Sequence, residues 1–283
     1  MKNQLTITEF VNQFGTREAC LEHLCSLKWS EGYTCRKCGH DHYVKGRTWY
    51  YRKCQKCHYD ESCTSNTLFH KIKFPLEKAF LMLHLISTHK KGISTCELAR
   101  QFGVKQTTAW FFKRKVQEAM TRTGSHLLGG LVEVDETLVG GKEEGKPGRS
   151  LGKKQIVQVA VETYTDKKGK ARCKRAYGQV VDRHDAEALR AGLMSMAAMG
   201  ARICTDQWSA YEKATKGYLH VAKPSNAGAN FQLLHWHIFN LKNWLRGTHG
   251  HIDSKHAQKY IDEFHFNDYP QPLTSGTDLS LTA

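Results

Sequence analysis

No stretch of this 283-residue chain approaches the roughly 18 consecutive apolar residues needed to cross a bilayer, which argues against a helical membrane protein. Its first ten residues, MKNQLTITEF, lack the apolar core of a secretory signal, so a soluble, cytoplasmic protein is expected. Acidic residues are in short supply. Asp and Glu number 27 against 42 Lys and Arg, a net charge of +15 spread along the whole length. That excess suits a polyanionic partner, most simply DNA or RNA. There is no internal repeat. With no secretory signal, the ten cysteines point away from a disulfide framework and toward metal binding or buried thiols.

What is present supports a substantial core, since 40% of residues are hydrophobic. The length fits two domains, or one catalytic domain with smaller modules. Phe10, Val11 and Phe14, then Leu21, Leu24 and Leu27, recur at helical spacing and predict one or two short helices before residue 30. Residues 33–70 read as short strands around a metal, with turns at Gly39 and Gly46. A helix follows, opened by Pro75 and carried by Leu76, Phe80, Leu83 and Ile86. A helical pair spans Ser94 to about Met120, and 124–130 forms a linker. The period then switches to two in GLVEVDE, KQIVQVAVETY and ARCKRAYGQVV, with a hairpin connection at Asp166–Lys170. A helix from Asp185 leads to the strand ARICTD, and LLHWHIFNLKNWLRG is helical again. This succession predicts a mixed α/β sheet.

Cys35 and Cys38, then Cys54 and Cys57, form two C-x-x-C pairs separated by fifteen residues. The spacing is that of a two-knuckle zinc site, and four thiolates would close a structural tetrahedron. His40, His42 and His58 are near enough in sequence to substitute for a cysteine. Cys20, Cys25, Cys63, Cys96, Cys173 and Cys204 stand alone and are expected in the core. In the helical pair, Ser94 to Glu97 reads as a capping box and Gly103 as the turn. Ala109, Trp110 and Val116 are placed inward. This is the outline of a helix-turn-helix, with Lys105, Gln106, Thr107 and Thr108 as base-edge candidates and Lys113, Arg114 and Lys115 as phosphate contacts.

Asp135 and Asp206 each close a predicted strand, so both carboxylates can emerge together and bind divalent cations, as two-metal phosphoryl transfer requires. Glu133 and Glu136, expected on the opposite face of their strand, rank below Asp135. Asp182 reads as a loop residue and Asp185 as a helix cap.

The cysteine pairs, GISTCELARQFGVKQTTAW, EVDETLVGGK, TDQWSAY and LKNWLRGTHGHIDSKHAQKYIDEFHF occur in an order that resembles bacterial insertion-sequence transposases with an N-terminal zinc ribbon and a DDE-type catalytic domain. The likeness runs from about residue 25 to 266. It implies an RNase H-like fold, Mg²⁺ or Mn²⁺, cleavage at transposon ends with joining to target DNA, and a homo-oligomer assembled on double-stranded DNA. It gives Asp135 and Asp206 the two aspartate positions and a supporting role to a lysine seven residues past the third site, here Lys242. The expected organisation is N-terminal helices and zinc ribbon in 1–70, a helix-turn-helix region in 71–124, the catalytic domain in 125–267 and a disordered tail in 268–283. Two departures stand out: the third acidic position holds no acid, and the ending after DEFHF is altered. A catalytically inactive remnant or DNA-binding regulator, and an RNase H-like nuclease, are the alternative readings.

On the wheel of the last helix, Leu234, Ile238, Leu241 and Leu245 form the stripe that faces the sheet. His235, Lys242 and Arg246 share one flank of it, His237 and Trp244 the other, and Asn240 faces solvent. His235 is therefore the first candidate for the third position, with His237 second and Asn240 third. Arg246 is a phosphate contact. An imidazole in place of a carboxylate adds no negative charge, so Mn²⁺ should be better tolerated than Mg²⁺.

Overall fold

A computed structural model describes residues 5–121, 126–140, 154–249 and 252–268. The expected tail therefore lies outside the described residues apart from Asp268, as does part of the expected linker. The chain divides into two compact units. One takes the described residues up to Ala119 except Lys90–Gly92, and the other takes the remainder. No described helix is long and apolar enough to cross a membrane.

The first unit opens with α1 (Ile7–Phe14) and α2 (Arg17–Lys28). Thr6 and Glu9 form a reciprocal capping box at the start of α1. Phe10 and Phe14 are buried against α3 (Leu76–Thr88), with the Phe10 ring stacked on His84 at 4.4 Å. Between α2 and α3 in the chain comes a small antiparallel sheet of β1 (Tyr43–Lys45), β2 (Tyr51–Cys54) and β3 (Asp60–Ser62). Lys28 ties α2 to it: its ammonium donates to Glu61 Oε1 at 2.8 Å and to the carbonyls of Ser62 and Ser65. A charge drawn that far from water needs those three acceptors. Two helices complete the unit, α4 (Thr95–Phe102) and α5 (Gln106–Ala119). Ser94 accepts from Glu97 N–H as expected, yet Glu97 turns its carboxylate to Arg100 and Gln101, so only half of the capping box forms. Gly103 closes α4 at φ +63°, the left-handed conformation that glycine adopts without penalty.

The second unit is built on a five-stranded mixed sheet of β4 (Leu131–Val139), β5 (Gln155–Thr165), β6 (Ala171–Val181), β7 (Arg202–Thr205) and β8 (Leu219–Ala222), in the order β6-β5-β4-β7-β8. β4, β5 and β6 form an antiparallel meander, while β7 and β8 run parallel to β4. Asp166 makes the β5–β6 turn, its carboxylate accepting from the N–H groups of Lys168 and Lys170. Helix α6 (Ala186–Met196), capped by Asp185, covers one face with the short α7 (Ala210–Ala214). Val132 and Val134 meet Leu189, Leu193 and Tyr211 there. Helices α8 (Gln232–Thr248) and α9 (Ser254–Asp268) cover the other, where Leu234, Ile238, Leu241 and Leu245 pack on Val157, Val159 and Val161. With both faces covered, β5 is buried from Ile156 to Thr163, and each such aliphatic side chain contributes roughly 2 kcal/mol of transfer free energy.

His237 holds α8 to α9. Its Nε2 lies 3.1 Å from His265 Nε2, and His265 Nδ1 lies 2.7 Å from the Ile261 carbonyl. That carbonyl can only accept, so His265 carries its proton on Nδ1 and His237 donates from Nε2. Burial pushes His237 down to about 4. The native state thus binds fewer protons than the unfolded chain below the ordinary imidazole value near 6.5. Stability should be undiminished above that pH and fall toward pH 4, by about 3 kcal/mol at most. Denaturant titrations of wild type and His237→Phe between pH 4 and 7 check this; an equal slope in both would remove His237 as its source.

Candidate active site and metal centre

The four paired cysteines converge in the first unit. Cys35 Sγ lies 3.5 Å from Cys57 Sγ and Cys38 Sγ 3.6 Å from Cys54 Sγ. Four sulfurs about 2.3 Å from a common ion would stand about 3.8 Å apart, so the cage matches tetrahedral zinc. The two knuckles share one hydrogen-bond pattern. Cys35 O accepts from Gly39 N–H and Cys35 N–H reaches His40 O, while Cys54 O accepts from His58 N–H and Cys54 N–H reaches Tyr59 O. The residue after the second cysteine of each pair, Gly39 and His58, has positive φ. Burial opposes ionisation of Cys35, but the N–H groups of Lys37 and Cys38 and the neighbouring thiols outweigh it and hold that thiol at about 6. His58 is outside the cage. A second grouping with the reach to hold a metal, His40, Asp41 and His42, lies more exposed beside it. Among the solitary cysteines, Cys20, Cys63 and Cys204 are buried and Cys25 and Cys173 partly so, whereas Cys96, expected in the core, is exposed on the first turn of α4.

Helix α5 departs from the reading of its cations. Lys113, expected to meet phosphate, is buried with its ammonium 2.8 Å from the Ile93 carbonyl. Arg114 is buried as well, donating to Gln117 and lying over the Trp110 ring. Lys115 donates to the His70 carbonyl. The reason is the period of the helix: Lys113, four residues after Ala109 and three before Val116, lies on the same buried stripe as those two and Phe112, and Arg114 borders it. Trp110 is only partly buried. At the start of α5, Lys105, Gln106 and Thr107 are exposed and Thr108 is half-buried, and Gln106 donates to Thr95.

In the second unit, Asp135 does not end its strand. β4 continues to Val139 because Thr137 and Val139 keep the alternation going, leaving Asp135 in mid-strand, paired with Val159. Asp206 directly follows β7. Glu133 and Cys204 are the last pair of the parallel β4–β7 ladder, and Asp135 and Asp206 each come two residues further along their segments. Asp135 Oδ1 accepts from Glu136 N–H at 2.8 Å, and Asp206 Oδ1 from Trp208 N–H at 3.1 Å.

The partner facing Asp135 comes from α8. His235 Nε2 is 3.6 Å from Asp135 Oδ2. Gly228, at φ +89° in the tight turn 226–231, backs the imidazole; a Cβ there would stand 3.1 Å from His235 Nδ1. Lys242 lies half-buried further along the helix. Its ammonium is held below the usual lysine value by burial first and by Arg246 and Lys154, while Asp135 opposes the shift. Arg246 is exposed. His237 is buried against His265, away from this face, and Asn240 is half-buried rather than fully in solvent.

Glu133 is not on the face opposite Asp135. Two residues apart on a strand means the same face, and the structure puts both toward α8. Glu133 accepts from the N–H of Leu234, in a first turn that has no side-chain cap of its own. Burial raises its carboxyl pKa, opposed by that N–H and by Lys223. Glu136 is the residue across the sheet, bonded to the buried Tyr211 hydroxyl. The close groupings of metal-ligating atoms among the described residues are the cysteines and His40-Asp41-His42; Asp135, Asp206 and His235 do not form a third.

Residues 127–268, half of the chain, match the ISXO2-like transposase domain. The chain belongs to that family. Its transposase domain covers the mixed sheet, α8 and α9, and therefore contains Asp135, Asp206 and His235. The cysteine cage lies outside the matched segment. No curated protein shows significant similarity to the chain.

Proposed function

We propose that the chain is a DNA transposase that binds the ends of an insertion element, cleaves them and joins them to target DNA. The observation that carries this reading is that Asp135 and Asp206 each come two residues beyond the last β4–β7 pair, with His235 facing Asp135. In this reading 125–267 is an RNase H-like DDE-type catalytic domain, 1–70 holds a structural zinc ribbon, and 71–124 a helix-turn-helix that reaches DNA through Lys105, Gln106, Thr107 and Thr108. The enzyme acts as a homo-oligomer on double-stranded DNA.

The donor set suits a hard divalent cation. Asp135 and Asp206 would hold Mg²⁺ or Mn²⁺ through carboxylate oxygens, with His235 completing the set. Such an ion, when bound, polarises the scissile phosphate and favours formation of the attacking oxygen nucleophile. Lys242, two turns beyond His235, offers an ammonium to a phosphate oxygen, and Arg246 extends that cationic line. An imidazole contributes a neutral, softer ligand, so Mn²⁺ should support activity at lower concentration than Mg²⁺.

Strand-transfer products formed from the element's own end fragments and a target plasmid, dependent on Mg²⁺ or Mn²⁺, test the reading. Binding without cutting would leave a DNA-binding regulator, and cutting without joining a nuclease. His235→Glu supplies the absent charge and should lower the Mg²⁺ concentration for half-maximal activity roughly tenfold, about 1.4 kcal/mol of added cation affinity. An unchanged metal dependence would take His235 out of the metal-binding set.

A further inference from the structure

Helix α8 leaves two large aromatic rings in solvent next to the proposed active site. Trp236 is 62% exposed and Phe239 is 60% exposed. Phe239 follows His235 by four residues, so at 100° per residue it stands beside it on the helix surface, about 6 Å along the axis. Lys242 and Arg246 continue the same line. Trp236 lies three residues before Phe239 and adjoins it on the outer side. The exposed surface of α8 is therefore a strip in which His235, Phe239, Lys242 and Arg246 succeed one another, flanked by Trp236. From Gln232 to Thr248 the helix contains no acidic residue.

Exposing two such rings has a hydration penalty that folding does not require, because the buried stripe of α8 is already complete with Leu234, Ile238, Leu241 and Leu245. Aromatic faces interleaved with cations are the surface that grips single-stranded nucleic acid, where bases stack on rings and phosphates meet Lys and Arg. Charge selects the occupant. A second copy of this chain meeting the strip would bring its own Lys242 and Arg246 into the same patch, with no carboxylate on α8 to offset the doubled positive charge.

We propose that Phe239 and Trp236 form a stacking platform for bases unpaired from the DNA strand being cut. The platform holds the strand on α8 so that the phosphate beside the unpaired bases lies toward Asp135 and Asp206, with Lys242 and Arg246 on the phosphates that follow. This rests on the proposed transposase function and adds to it a preference for locally opened DNA.

The test uses the full-length chain and three probes carrying 2-aminopurine: a single strand, a forked duplex with unpaired bases at one end, and a fully paired duplex. Wild type should bind the single strand and the fork more tightly than the duplex, with 2-aminopurine fluorescence quenched at the unpaired positions. Phe239→Ala and Trp236→Ala should each weaken fork binding about tenfold, with little change on the duplex. Phe239→Leu, which keeps apolar bulk without a ring, should lose the quenching, and Phe239→Trp should keep it. Equal fork affinity in wild type and both alanine variants overturns the platform while leaving the transposase reading intact. So does a changed sedimentation coefficient at unchanged fork affinity, which would make the strip a self-association face. No binding to any of the probes overturns both.

Discussion

Asp135→Asn and Asp206→Asn should each reduce strand transfer at least a thousandfold, the equivalent of about 4 kcal/mol in the barrier. Each change removes one negative charge and leaves volume and hydrogen-bonding reach nearly intact, so the fold should be kept. Asp135 occupies a central strand and faces His235 at 3.6 Å, while Asp206 directly follows the neighbouring strand β7. In the proposed donor set, either change leaves one carboxylate with the neutral His235, too few to hold a divalent cation against water. Gel-resolved cleavage and joining products, with circular dichroism as the control for folding, decide it. Full activity in either variant would overturn the catalytic assignment. Glu136→Gln serves as the comparison, because Glu136 lies across the sheet and bonds Tyr211, so its loss should act on stability.

Removing the metal from the cysteine cage should have the largest effect on folding. Structural zinc in modules of this size contributes an apparent 10 kcal/mol or more, roughly the whole stability of a domain. The local sheet has only three strands of three or four residues, and the cluster around the cage consists of Tyr33, Cys35 and Cys54 with Trp29, Cys57 and Tyr59 packed on it. Apolar burial on that scale cannot hold the segment together without the ion. Cys54→Ser should abolish stoichiometric zinc, measured by atomic emission, and open residues 29–63 to proteolysis. Cys63→Ala, at a buried cysteine outside the cage, should keep the metal. Zinc retained at one per chain in Cys54→Ser would exclude the four-sulfur site.

The elements legible in the sequence were those with a strong local signal. Period-two runs marked β4, β5 and β6, Asp166 and Asp185 announced a turn and a cap, and the C-x-x-C pairs announced the cage. The leucine spacing of α8 also disclosed which flank carries His235 and Lys242. Features that depend on partners remote in sequence were harder to read. α9 escaped because its buried face includes Asp262, Glu263, His265 and Asn267, polar residues that a hydrophobic pattern discounts. Lys113 and Arg114 looked like free cations because charge alone does not show that a carbonyl of Ile93 or the ring of Trp110 is waiting. Asp135 reads as a strand end when the alternation is followed only through GLVEVDE, whereas Thr137 and Val139 carry β4 onward. Glu133 is legible by parity alone, since residues two apart on a strand share a face and Glu133 therefore looks the same way as Asp135.

β4 is held on both sides as far as Glu133, but beyond that point only β5 remains bonded to it, since the β4–β7 pairing ends at Glu133 and Cys204. Asp135 thus sits where two strands part company, anchored by one ladder and open on the other edge. Asp206 and His235 belong to separate segments, the one just past β7 and the other on α8. Under the proposed function this would be a vice with one fixed jaw: a cation bound there would find Asp135 held by its strand, with His235 already facing it, and Asp206 would have to travel to complete the coordination.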